Sequence, residues 1–132
     1  MTVLKRTSGI NFVKIEHCKN TNTVITKWQG YCPHDNIMEG MQAGLTVLKS
    51  SKAKRWIMDT EMMEGSLSDS LSWLIKIWLP AARYAGLETM AFVTSRNIFT
   101  ELSTKEYAIK SNKTGNEHFL SLEDAKRWIV KQ

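Results

Sequence analysis

The residues best equipped for chemistry gather in one stretch, Asp59-Thr-Glu-Met-Met-Glu-Gly65, followed closely by Ser66, Ser68 and Ser70. Asp59 with Glu61 or Glu64 has the composition of a general acid–base pair, in which one carboxyl donates a proton and the other accepts one. No histidine stands near them in sequence. Solvation and local capping, the ordinary roles of loop acids, are therefore expected, and no catalytic residue is assigned. Gly65-Ser-Leu-Ser-Asp-Ser70 also offers hydroxyls and free backbone N–H groups at a helix start, so Ser66 and Asp59 are candidate contacts for an anion or polar ligand. Ser68 is the expected N-cap, and Asp69 works against a doubly charged anion. Met62 and Met63 are polarizable, flexible side chains suited to adaptable apolar contact or to packing over the core.

Cys32-x-His34 and His17-Cys18 contain metal-ligating residue types. Structural zinc sites use longer, paired spacings, so no metal and no cofactor is expected. Two cysteines without a Cys-x-x-Cys spacing read as reduced thiols rather than a bridge. Phosphate-loop, dinucleotide, nucleophile-elbow and zinc-protease motifs are absent.

The chain has 132 residues, of which 42% are apolar and 23% charged, which excludes collagenous, disordered and disulfide-scaffold classes. One domain spanning 1–132 is expected, since a chain of this size removes about two-thirds of its unfolded surface from water. The start, Met-Thr-Val-Leu-Lys-Arg, has no apolar secretory segment, and no stretch is long and apolar enough to insert in a membrane, so a cytoplasmic location is expected. The net charge of +5 comes from 18 Lys and Arg against 13 Asp and Glu. Lys49, Lys52, Lys54 and Arg55 form one basic cluster, and Lys105, Lys110 and Lys113 another. Aromatic residues do not interleave with them as stacking platforms would, so a solvated rim is expected and nucleic acid is not.

These residues must be positioned by an α/β framework. Residues 10–17 and 23–29 are rich in β-branched and aromatic types and flank Lys19-Asn20-Thr21-Asn22, which predicts an N-terminal β-hairpin. Ile37, Met38, Met41, Leu45 and Leu48 recur at helical spacing after Pro33, predicting a helix over 33–50. Trp56 to Asp59 predicts a buried strand, 60–67 a loop, and Ser68 to Ala85 a long helix stopped by Gly86. Pro80 predicts a kink or restart near Leu79. Thr89 to Thr94 predicts a strand, Ile98 to Ser103 a short helix, Glu117 to Leu120 a last strand, and Ser121 to Asp124 the capped start of a C-terminal helix. Alternating strands and helices imply parallel pairing with right-handed crossovers behind the hairpin. The expectation is a mixed sheet of about five strands with helices mainly on one face.

The helix around Trp73 is apolar on more than one side. Leu71, Leu74, Ile75, Trp78 and Ala82 form one stripe, while Trp73, Ile77 and Tyr84 fall outside it. Three covers suit this second face: the chain's own loops, a second copy of the chain, or a small apolar ligand held with Met62, Met63 and the 98–103 segment.

The run Trp56-Ile-Met-Asp59, Ser68-Asp69, Trp73-Leu74, Trp78-Leu-Pro80, Ala85-Gly86-Leu87, Ala91-Phe-Val93 and Phe119-Leu-Ser-Leu-Glu-Asp-Ala125 resembles a bacterial branch of the STAS-domain superfamily. The resemblance spans the chain from Val24 onward. It implies a fold like that of anti-sigma-factor antagonists, more distantly of CRAL-TRIO lipid carriers, and a non-enzymatic regulatory or protein-interaction role with a protein partner, itself included. The alternatives are a carrier of a small apolar ligand and, third, an enzyme using the loop carboxylates. In partner-switching relatives a serine at the helix start accepts a phosphate, which falls here at Ser68 or Ser70. The family's acid-Ser-Ser-Gly run reads Asp69-Ser70-Leu71-Ser72 in this chain.

Overall fold

Residues 2–6, 8–111 and 116–132 are described by a computed structural model of the chain. The two β-branched runs pair as an antiparallel hairpin, β2 (Asn11–Cys18) with β3 (Thr23–Tyr31), in a register that sets Val13 opposite Trp28 and Cys18 opposite Thr23. Its turn places Asn22 in the left-handed region (φ 48°), which asparagine tolerates better than most residues. Outside β2 runs a strand the sequence reading does not anticipate, β1 (Thr2–Lys5). Three further strands follow: β4 (Arg55–Glu64), β5 (Thr89–Val93) and β6 (Asn116–Phe119). The sheet is α/β and mixed, six strands in the order β1-β2-β3-β4-β5-β6, with every pair from β3 onward parallel.

Each parallel step is bridged by a helix: α1 (His34–Ser51), α2 (residues 68–84) and α3 (Ile98–Lys110). All three contribute to one core on one face of the sheet, through Ile37, Met41 and Leu48, then Leu71, Leu74 and Trp78, then Tyr107. The last helix, α4 (Leu122–Ile129), packs Ala125 and Ile129 on the opposite face against Ile25, Ile57, Ala91 and Val93. Its N-cap is Ser121, whose hydroxyl accepts from the Asp124 N–H at 3.2 Å.

Three tryptophans fill the main core, Trp28, Trp56 and Trp78, each at most 2% exposed. A buried indole N–H needs an acceptor. Trp28 and Trp56 both donate to the hydroxyl of Thr26, each at 3.1 Å, and Trp78 donates to the Met41 carbonyl at 3.0 Å. Trp56 and Trp78 meet edge to face at 5.0 Å. Helix α1 approaches these rings closely because Gly40 and Gly44 face them. A Cβ at Gly40 would lie 2.5 Å from Trp28 Cη2, and one at Gly44 would overlap Trp56 Cη2.

Several expected boundaries are corrected. Strand β4 runs to Glu64 rather than ending at Asp59, because Thr60 and Met63 are buried and the strand keeps pairing with β3. A bulge near its middle shifts the register: Lys27 faces Asp59, but Gln29 faces Met62. Helix α3 continues to Lys110 instead of stopping at Ser103. Asn97 caps it by accepting from the N–H groups of Phe99 and Thr100, and Glu101–Lys105 and Glu106–Lys110 support its outer surface at i, i+4. Lys113 lies outside the described residues. Within α2, Pro80 has no N–H to bond the carbonyl four residues back. The preceding turn widens to a π-helix over Leu74–Trp78, and α-geometry restarts at Leu79.

Candidate functional surfaces

Because β3, β4 and β5 are parallel, their carboxyl ends and the starts of α1, α2 and α3 share one edge of the sheet. The acidic stretch emerges there, divided between two places. Asp59 and Glu61 line a cleft of about 330 Å³ on the face of the sheet that carries α4, with Lys14, Lys27 and Leu122. Burial pushes the Asp59 carboxyl above the ordinary range, Glu61 adds to the shift, and the Glu61 N–H (3.1 Å) and Lys27 oppose it. Lys27 pairs with Glu16 at 3.2 Å. Glu64 borders a shallow recess of about 240 Å³ beside Arg96 and Asn97, which Glu61 also lines. Among the described residues no histidine, serine or cysteine lines either cleft. The carboxyls have as neighbours the cations Lys14, Lys27 and Arg96 and the amides Gln29 and Asn97.

The adjacent methionines are separated by the strand that carries them, since consecutive strand residues point to opposite faces. Met62 is 61% exposed, whereas Met63 is buried in the main core, so the surface expected of both belongs to Met62 alone. Ser66 is exposed and its hydroxyl accepts from the Ser68 N–H at 3.0 Å. Ser68 is exposed too, but makes no side-chain cap. Leu67 occupies the N-cap position of α2 instead, a correction to the expected capping.

Ser70 is 2% exposed, and its hydroxyl lies 2.8 Å from His34 Nδ1. His34, in the first turn of α1, also meets Trp73 edge to face at 6.1 Å. Of the two serines, Ser68 is open to solvent and Ser70 is enclosed. The sequence reading misses these contacts of His34 with Ser70 and Trp73, because His34 lies 36 residues before Ser70 and only the shared sheet edge brings them together. Cys32 faces backbone carbonyls, among them Gly30 at 3.6 Å, with burial pushing its thiol up to about 11. His17 bonds Asn22 at 2.6 Å. Among the described residues no group of three metal-ligating side chains converges.

On α2, Leu71, Leu74, Trp78 and Ala82 are buried as the spacing predicts. Ile77 and Tyr84 stand outside, Tyr84 at 96% exposure, while Trp73 is half-buried against His34. A groove of about 420 Å³ runs between α2 and α3, with Leu71 and Ile75 on one wall and Glu106 and Lys110 on the other.

Helix α3 has the polarity of its faces reversed. Its inward face is Thr100, Ser103, Thr104 and Tyr107, all buried. The hydroxyls there are satisfied: Thr100 donates to Gly65 O, Ser103 donates to Thr100 O at 2.9 Å and accepts from the Leu67 N–H at 2.8 Å, and Thr104 donates to Glu101 O at 3.0 Å. Its outward face carries Ile98, Phe99, Leu102 and Ile109, 60–77% exposed. Ordinary amphipathic helices bury the apolar stripe and solvate the polar one. The sequence signal was present in the spacing of Ile98, Leu102 and Ile109, but apolar periodicity does not say what the face meets.

The basic cluster lies at the opposite, amino edge of the strands. There the Arg55 guanidinium holds the carbonyls of Thr21 (2.9 Å) and Gln132 (3.0 Å), and Lys54 pairs with Glu88 at 3.8 Å. No described helix is long and apolar enough to cross a membrane. Compared with protein-family models, curated proteins and solved structures, the chain matches none of them.

Proposed function

We propose that this chain is a protein-interaction module of STAS-like design, working through surface contact rather than through a reaction, with the outward face of α3 as its docking surface. The observation that carries this reading is the reversed polarity of α3. Leaving a large apolar side chain in water forgoes about 1.5–3 kcal/mol relative to burying it. Four such residues on one helix, above a buried face of threonine and serine, are the composition of a surface whose cover comes from another molecule. Helices mainly on one face of a mixed sheet are also what the STAS resemblance implies.

A photo-crosslinking residue at position 102, compared with one at exposed Gln42 on α1, tests the reading in cells. A discrete protein adduct formed from position 102 and not from position 42 is expected. Equal labelling from both positions, or none from 102, refutes it. The groove between α2 and α3 favours a second reading, a carrier of a small apolar ligand, and native mass spectrometry of protein isolated from cells distinguishes it by a co-purifying mass.

A further inference from the structure

We infer that the partner of the α3 face is a second copy of this chain, packed antiparallel through α3 about a two-fold axis. The inference rests on the docking reading above and adds the identity of the partner. Ile98, Leu102, Lys105 and Ile109 follow one another at spacings of four, three and four, the seam of a helix that pairs with another helix. Three of the four are apolar, and the fourth is a lysine whose side chain is 56% exposed. A partner that fits this seam offers apolar contact at both ends and a carboxylate near its middle, where Lys105 can exchange its intrachain partner Glu101 for one across the seam.

A second α3 meets both demands. In the antiparallel register that sets Ile98 against Ile109 of the second copy, Leu102 faces its Lys105. The lysine stem covers the leucine. Its ammonium then lies beside Glu101, the residue just before that leucine, and the two-fold repeats the same pair on the other side. Within each chain Glu101, its side chain 19% exposed and accepting from the Ser95 N–H at 3.4 Å, already approaches Lys105 to 3.7 Å, so association exchanges two intrachain pairs for two pairs across the seam. Every contact in this register is used twice, as a closed two-fold interface requires.

Sedimentation velocity on the full chain, over a concentration series reaching about 0.5 mM, reads the association. The wild type is expected to move from monomer to dimer. Glu101→Lys sets lysine against lysine twice, and Lys105→Glu sets carboxylate against carboxylate twice. Each alone is expected to weaken self-association by about tenfold or more. A one-to-one mixture of the two variants restores opposite charges at both positions and is expected to dimerise like the wild type. Circular dichroism of each variant verifies the fold.

A wild type that stays monomeric overturns the inference, while a position-102 adduct to a different protein leaves the docking reading intact. Monomer together with no adduct at 102 ends both. A dimer indifferent to both charge changes and to Leu102→Asp lies on another face and also overturns the inference.

Discussion

Thr26→Val tests whether one hydroxyl organises the centre of the protein. Thr26 is fully buried on β3, and its oxygen accepts from two indoles, Trp28 on the same strand and Trp56 on β4. A hydroxyl oxygen has two lone pairs, so both are used. Valine keeps the shape and removes the acceptor, leaving two buried N–H groups with no partner. Each orphaned donor costs about 1–3 kcal/mol, partly offset by the more favourable burial of a methyl than of a hydroxyl. The expected net loss is about 2–4 kcal/mol, out of a total stability of roughly 5–15 kcal/mol for a domain. Thr26→Ser keeps the acceptor and deletes one methyl, for about 1 kcal/mol. Urea unfolding followed by tryptophan fluorescence gives both values, and a Thr26→Val/Trp56→Phe double variant isolates the shared bond. If valine costs less than serine, or the double-mutant cycle shows no coupling, the hydroxyl is not the organiser inferred here.

Two further outcomes follow from the core. Gly40→Ala drives a methyl into the Trp28 ring, 2.5 Å from Cη2, so thermal unfolding is expected to fall by an amount equivalent to about 1–3 kcal/mol; an unchanged midpoint refutes the close approach of α1. Burial holds His118 below its ordinary pKa of 6.5, its Nε2 has no hydrogen-bond partner, and its ring stacks on Phe92 at 4.8 Å. The unfolded chain therefore binds this proton more readily than the folded one. Stability from neutral His118 is complete above pH 6.5 and is lost as pH falls from there through the lowered folded value. His118→Phe keeps the stack and should flatten that part of the stability profile between pH 7.5 and 5; identical profiles for the two proteins refute the assignment.

The parts legible in the sequence were those whose signal is local. The hairpin shows in β-branched alternation, α1 in the recurrence of Ile37, Met41 and Leu48, the restart at Leu79 in Pro80, and the α4 cap in Ser121 with Asp124. Strand β1 was not legible, because four residues at a sheet edge carry too little alternation to stand out. Nor was the extension of β4, where Glu61 and Glu64 look like loop residues until partner strands absorb the backbone around them. The Met62–Met63 pair suits either apolar contact or core packing in sequence, and the strand gives one role to each by sending neighbours to opposite faces. Helix α3 shows the sharpest limit. Its apolar spacing is plain, yet whether such a stripe meets the protein's own sheet or another molecule depends on hydrogen bonds made by Thr100 and Ser103 to Gly65 and Leu67, 35 or more residues away. The His34–Ser70 contact is hidden for the same reason.

The strand order has a kinetic consequence. From β3 to β6 each strand lies beside the one before it in the chain, so no strand is inserted between two already in place. The sheet grows by addition at a single edge, each step closing a loop of one crossover helix rather than joining distant segments. Such an order suits a chain emerging from the ribosome: the hairpin and α1 form first, and each strand–helix unit then finds a finished edge to join. The β5 edge stays unpaired until β6 joins it, so a chain halted before residue 116 displays the free side of β5, a template on which another chain can pair.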